Sequence, residues 1–251
     1  ESEHNRWFSR LVALIIASVG AWQNVSCSLA GIDNMAAKRL AVVSGANKGI
    51  GYHVARQLQE VGLRVVIACR NQVLAEQAAS TLACKFELLD LASDASIESF
   101  ASLMESKYGQ LDILVNNAAV AFKGSDSTPF KDQTAPTLAI NFFATVRLTD
   151  RLLPLLRASA ADGRQPRIVN VASMAGKLKK VSPSLRQHFS SPSLDRHALS
   201  SLVQKYVADV GAGQHRQQGW GNSNYGMSKR ALIAFTHVLA REEGASMRIN
   251  S

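Results

Sequence analysis

One alternation constrains this chain more than any other feature. From Leu40 onward, apolar runs of strand length take turns with stretches of helical spacing. Strands are expected at 40–43, 64–68, 86–89, 111–115 and 167–172, and helices at 51–60, 71–82, 96–108 and 133–156. In the first helix Val54, Ala55 and Leu58 mark the apolar face. Strands separated by helices in this way predict parallel βαβ units and an α/β, doubly wound parallel sheet. Right-handed crossovers then put helices on both faces. The pattern breaks after Ser173. About fifty residues follow that read as an insertion with its own short helices, one of them at 194–210 through Leu199, Leu202, Val203, Tyr206 and Val207. A last helix is expected at 224–243, and 247–251 read like the opening of a strand.

Composition removes several classes. With 47% hydrophobic and 19% charged residues, the chain is neither disordered nor fibrous. Its three cysteines, Cys27, Cys69 and Cys84, are too scattered for a disulfide framework or a structural zinc site, and no metal is expected. The net charge of +9 admits nucleic acid, a membrane surface or a phosphate-bearing ligand as partner. The charge is scattered and accompanied by no recognition motif, so no nucleic acid is expected. Residues 1–34 stand apart from the alternation. Their apolar run at 11–22 is shorter than the about 20 residues a bilayer span needs, so no transmembrane span is expected. The segment reads as a targeting sequence, a membrane-surface anchor or a non-native extension before Met35.

The turn after the first strand reads Ser44-Gly45-Ala46-Asn47-Lys48-Gly49-Ile50-Gly51. Glycine permits a tight turn and close backbone approach to a pyrophosphate. The helix start offers unpaired N–H groups and a positive dipole end. The second strand ends in Cys69-Arg70-Asn71, where an NAD site would place an acid for the ribose hydroxyl. Arg70 and Lys48 instead suit a 2′-phosphate, and therefore NADP. Asp90, followed by Leu91, reads either as an acceptor for the adenine amino group or as a turn residue.

Tyr225 and Lys229 stand at i and i+4 on a predicted helix and so share one face. A neighbouring ammonium favours phenolate and is expected to lower the tyrosine pKa. Ser173 ends the fifth strand, at the edge where open α/β sheets bind ligands. Asn141 lies in a helical stretch that does not favour Asn, between Ile140 and Phe142.

These residues together resemble the short-chain dehydrogenase/reductase family over 38–251. Ser44 stands where Thr is usual in the cofactor turn. The stretch Asn116-Asn117-Ala118-Ala119 resembles the family's Asn-Asn-Ala-Gly motif, with Ala119 for Gly. Asn141, Ser173, Tyr225 and Lys229 match its catalytic tetrad. The long interval between Ser173 and Tyr225 resembles the monomeric NADPH-dependent carbonyl reductases and plant reductases of terpenoid and alkaloid ketones. So do Gln217-Gln218-Gly219-Trp220, Ala121-Phe122-Lys123 and Thr128-Pro129-Phe130.

The resemblance implies a Rossmann-type domain at 35–251 with a helical insertion at about 174–222, using NADPH/NADP+. It implies reduction of a small-molecule ketone, aldehyde or quinone by a monomeric, cytoplasmic enzyme; a native 1–34 segment would instead imply the secretory pathway or a membrane surface. Tyr225 would donate the proton, Ser173 would hold the carbonyl, and Lys229 would bind the nicotinamide ribose. Asn141 would position a water, and Asn117 would contact the cofactor. Gly45, Asn47, Lys48, Gly49, Ile50, Gly51, Arg70, Asp90 and Leu91 would complete the cofactor site. Phe122, Lys123 and Gln133 match positions that bind a glutathione moiety in the carbonyl reductases, while Gly124 departs from the bulkier residue there. Relatives continue past the sixth strand into a Pro-Gly loop, a helix and a seventh strand, so a truncated, non-catalytic nucleotide- or partner-binding module is the alternative expectation.

Overall fold

The computed structural model describes residues 39–251. The expectations for 1–34, and Cys27 with them, lie outside the described residues. The elements run β1 (Leu40–Ser44), α1 (Gly49–Glu60), β2 (Arg64–Cys69), α2 (Gln72–Leu82), β3 (Lys85–Leu88), α3 (Asp94–Tyr108) and β4 (Ile113–Asn116), then α4 (Phe130–Leu138), α5 (Thr145–Ala161) and β5 (Arg167–Asn170). The insertion supplies α6 (Pro183–Ser190) and α7 (Arg196–Gly211), and α8 (Asn224–Glu243) leads to β6 (Arg248–Asn250). The six strands pair in parallel in the order β3-β2-β1-β4-β5-β6. That is the doubly wound order whose switch point falls between β1 and β4.

The strand runs are apolar throughout because both faces are covered. Side chains alternate across a strand. Leu40, Val42, Val66, Ala68, Leu114 and Ile168 therefore pack into one layer, with Phe100 of α3, Leu148 of α5 and Phe235 of α8. Ala41, Val43, Val65, Ile67, Ile113 and Val115 face the opposite layer, against Val54 and Leu58 of α1 and Ala75 and Ala79 of α2. Each fully buried Val or Leu contributes about 1.5–3 kcal/mol.

Several boundaries depart from expectation; β5 ends at Asn170 and not at 172, so Ser173 lies three residues past the strand and does not end it. At β4 the pairing begins at Ile113, not Leu111, because the Asp112 carboxylate accepts the Leu40 amide at 2.7 Å in place of a strand carbonyl. The helix expected at 133–156 is three pieces: α4, a π-helical turn at Ala139–Ala144, and α5. The first helix starts at Gly49, two residues before the expected Gly51. In the insertion, α7 occupies the expected 194–210 stretch, and α6 is additional.

Phe189, Tyr206 and Trp220 build the insertion's own packing, with ring centroids 6.4 and 5.5 Å from Trp220. The Trp220 indole donates to Asp209 at 2.6 Å, and Lys205 pairs with the same carboxylate at 2.9 Å. These residues join the layer under α8, so the insertion shares the main core. Among the described residues no helix is long and apolar enough to cross a membrane.

Candidate active site

A cleft of about 390 Å³ opens at the carboxyl ends of β1, β2 and β4, over the switch point. Gly45, Asn47, Lys48 and Gly49 form one wall, Arg70, Asp90 and Leu91 another, and Asn117 to Val120 a third. Of the sequence-predicted cofactor residues, Ile50 packs into the apolar layer under α1 and Gly51 lies behind the cleft.

Glycine is required at two of these positions. Gly45 holds φ +65°, and a Cβ there would come within 2.9 Å of the Ala118 Cα. A Cβ on Gly51 would lie 2.4 Å from the Asn117 amide nitrogen. That amide donates to the carbonyls of Ser44 and Gly45 at 2.9 and 3.2 Å. The Ser44 hydroxyl donates to the Val115 carbonyl and accepts from the amides of Asn117 and Ala118. One serine thus pins the β1 and β4 turns together, a task that Ser and Thr hydroxyls can both perform. Arg70 and Lys48 are exposed at the rim. The Asp90 carboxylate accepts from the Ala92 amide at 2.9 Å, which makes it a turn residue as well as part of the wall.

Asn141 lies in the π turn and is buried. Such turns recur at functional sites because the changed register re-aims a residue. Its amide nitrogen donates to the Val120 carbonyl at 2.8 Å and to the Ser228 hydroxyl at 3.1 Å, and its oxygen accepts from the Val120 amide at 2.7 Å. Ser228 in turn donates to the Tyr225 carbonyl at 2.8 Å. The cleft wall and α8 are therefore joined by one chain of hydrogen bonds. Neither Ser228 nor this linkage was anticipated from the sequence.

The other three residues of the predicted tetrad lie where the turn after β5 meets α8. Ser173 caps the turn Met174–Gly176, its hydroxyl accepting from the Ala175 amide at 3.2 Å, and it lies near enough to the Tyr225 phenol to pull that group's pKa down. Two glycines let this turn lie against α8. A Cβ on Gly176 would come within 2.9 Å of the Arg230 nitrogen, and one on Gly226 within 2.9 Å of the Ala175 oxygen. Asn224 anchors the start of α8: its oxygen accepts from the Thr134 and Tyr206 hydroxyls, and its nitrogen donates to the Phe130 carbonyl. Lys229 is 3% exposed, donates to the Val171 carbonyl at 2.7 Å, and holds its ammonium 5.5 Å from the Tyr225 ring centroid.

The electrostatics differ from expectation. Burial pushes the Tyr225 phenol up, and the nearby Ser173 hydroxyl only partly opposes it. Burial also lowers the Lys229 ammonium, to about 8. Desolvation sets the direction for both groups, against the pairwise pull that i and i+4 spacing suggested.

Of the remaining predicted residues, Phe122 and Lys123 lie on the loop before α4 and Gln133 in the first turn of α4. Phe122 is half-buried and Lys123 exposed. The Gln133 amide reaches back from the helix to the loop, donating to the Thr128 carbonyl at 2.7 Å. Gly124 is exposed, with open space where a side chain would stand. Among the described residues no group of three or more acidic, histidine or cysteine side chains is placed to hold a metal.

Comparison with known proteins agrees with this geometry. The family model described as short chain dehydrogenase matches residues 39–185. Carbonyl reductase (NADPH) 1 of Mus musculus is 37% identical over 211 residues, covering 81% of this chain and 74% of that protein. Among solved structures, salutaridine reductase from Papaver somniferum has a TM-score of 0.75 at 29% identity, covering 85% of each chain. The menthone neomenthol reductase from Mentha piperita has a TM-score of 0.76 at 27% identity, covering 85% of this chain and 88% of that one. Sheet order, phosphate-binding turn and sequence likeness agree, and the chain belongs to the short-chain dehydrogenase family of oxidoreductases.

Proposed function

We propose that this chain reduces a ketone, aldehyde or quinone carbonyl to the alcohol with NADPH, using Tyr225 as proton donor. The observation that carries the reading is the Tyr225 phenol, with Ser173 close by and the buried Lys229 ammonium 5.5 Å from its ring centroid, beside a glycine-lined cleft. The residues present fit the cofactor. Gly45 and Gly49 line the cleft without side chains, with open space where a Cβ on Gly49 would stand, and Arg70 and Lys48 offer cations where a 2′-phosphate would sit. The names of the carbonyl reductase relatives support the same cofactor.

When bound, NADPH supplies the hydride. The chain's own residues orient the substrate and manage charge and proton. Ser173 and Tyr225 present hydroxyls to the carbonyl oxygen as negative charge grows there. Burial keeps the phenol protonated at neutral pH, as a proton donor requires. Lys229 holds a positive charge behind it. Both amide hydrogens of Asn141 are engaged by Val120 and Ser228, so any water it positions would donate to one of its oxygens.

A monomer belongs to the same proposal. Tyr206 of α7 reaches the buried Asn224 at the start of α8, and Asn224 in turn holds Thr134 of α4, so the insertion covers that side of both helices.

The test is oxidation of NADPH by the purified chain with a quinone and a panel of aromatic and terpenoid ketones. Tyr225→Phe should lower turnover by about 10²–10⁴-fold while NADPH still binds. Unchanged turnover in that variant would sink the mechanism. NADPH binding by the wild type without turnover of any carbonyl would favour a non-catalytic module.

A further inference from the structure

A second cavity, of about 380 Å³, lies between the insertion and the outer face of α8, away from the cleft. Phe189, Leu194, Ile233 and Val238 give it apolar walls. Arg230 also lines it, and this residue is only 4% exposed. One of its terminal nitrogens donates to the Lys177 carbonyl at 3.3 Å and the other contacts the Met227 sulfur at 3.6 Å. Its Nε has no partner. Among the described residues no carboxylate pairs with it, and none lines the cavity. His237 and Arg241 stand at the exposed side of the same cavity.

A buried guanidinium without an anion is costly, because a charge removed from water needs a counter-charge and full hydrogen bonding. The planar fork of arginine matches a carboxylate in two parallel bonds. The apolar walls suit a hydrocarbon body, and the volume falls in the range of small-molecule sites. We propose that this cavity binds an amphipathic organic carboxylate, its head on Arg230 and its chain against Phe189, Leu194 and Ile233. The site is independent of the carbonyl reductase reading, since none of these residues belongs to the tetrad or to the cleft.

The experiment is calorimetric titration of the full chain with octanoate, and with octanol as its uncharged counterpart. Octanoate should bind at one site at least about tenfold more tightly than octanol. Arg230→Met should weaken octanoate by about tenfold or more and leave octanol unchanged, removing the preference. Ile233→Trp, which keeps the cation but fills the cavity, should abolish binding of both; it decides the matter if Arg230→Met fails to fold. Equal affinity for octanoate and octanol would overturn the proposal. So would octanoate binding that survives Ile233→Trp, or binding that is lost in Tyr225→Phe, which would put the ligand at the tetrad.

Discussion

Lys229 shows what a buried charge does at the scale of one residue. Its ammonium titrates near 10.5 in an unfolded chain and at about 8 here. Below pH 8 both states carry the proton, and the folded state bears the full desolvation penalty. Between pH 8 and 10.5 only the unfolded state binds the proton, so stability rises with pH. The rise amounts to about 3 kcal/mol. Denaturant titrations across this range should show it in the wild type and not in Lys229→Met. If the two proteins track each other, the ammonium is not desolvated. Turnover should fall above pH 8 in the wild type as the charge behind Tyr225 is lost. Tyr225 and Lys229 stood out in the sequence by their i, i+4 spacing, Ser173 by its place just after an apolar strand run, and Asn141 by its aromatic neighbours. The direction of the Tyr225 shift was not legible there, because burial of a side chain depends on what packs around it, and helical spacing carries no information about that.

Elements place these residues through contacts that the sequence only hints at. The π turn at Ala139–Ala144 looks like continuous helix, since Ala, Ile and Phe fit either hydrogen-bond register. Helix α6 did carry a start signal, Ser182 followed by Pro183, with the serine hydroxyl accepting from the Leu185 amide. It was too short for its periodicity to show. Gly176 and Gly226 read as ordinary glycines until the turn and α8 are brought together. Gly226→Ala tests that approach. Alanine favours a helix by about 1 kcal/mol over glycine, but here its Cβ meets the Ala175 carbonyl. The Met174–Gly176 turn should shift and carry Ser173 away from Tyr225. We expect turnover to fall by about tenfold or more with NADPH affinity retained, read by steady-state kinetics and by fluorescence titration of the bound cofactor. Full activity would mean that Ser173 does not need the close approach.

At the scale of the molecule, the strands were legible because a sheet covered on both faces writes itself as uninterrupted apolar runs. The insertion was legible as a break in that rhythm, though its docking was not. Its aromatic cluster belongs to the same apolar layer as the sheet, so insertion and sheet should unfold together. With Trp7 and Trp22 replaced by Phe, Trp220 is the sole indole, and its fluorescence should follow the same urea transition as far-UV circular dichroism. Two separated transitions would show an independent insertion. Trp220→Ala should cost about 3–5 kcal/mol and move the whole transition. The hydrogen bonds running from Val120 through Asn141 and Ser228 to Tyr225 have a mechanical consequence. They make the cleft wall and the main chain of α8 at Tyr225 a single calliper: a tilt of α8 carries both jaws in the same direction. Thermal rocking then becomes a common-mode error, and the gap between the two jaws is the quantity it leaves undisturbed.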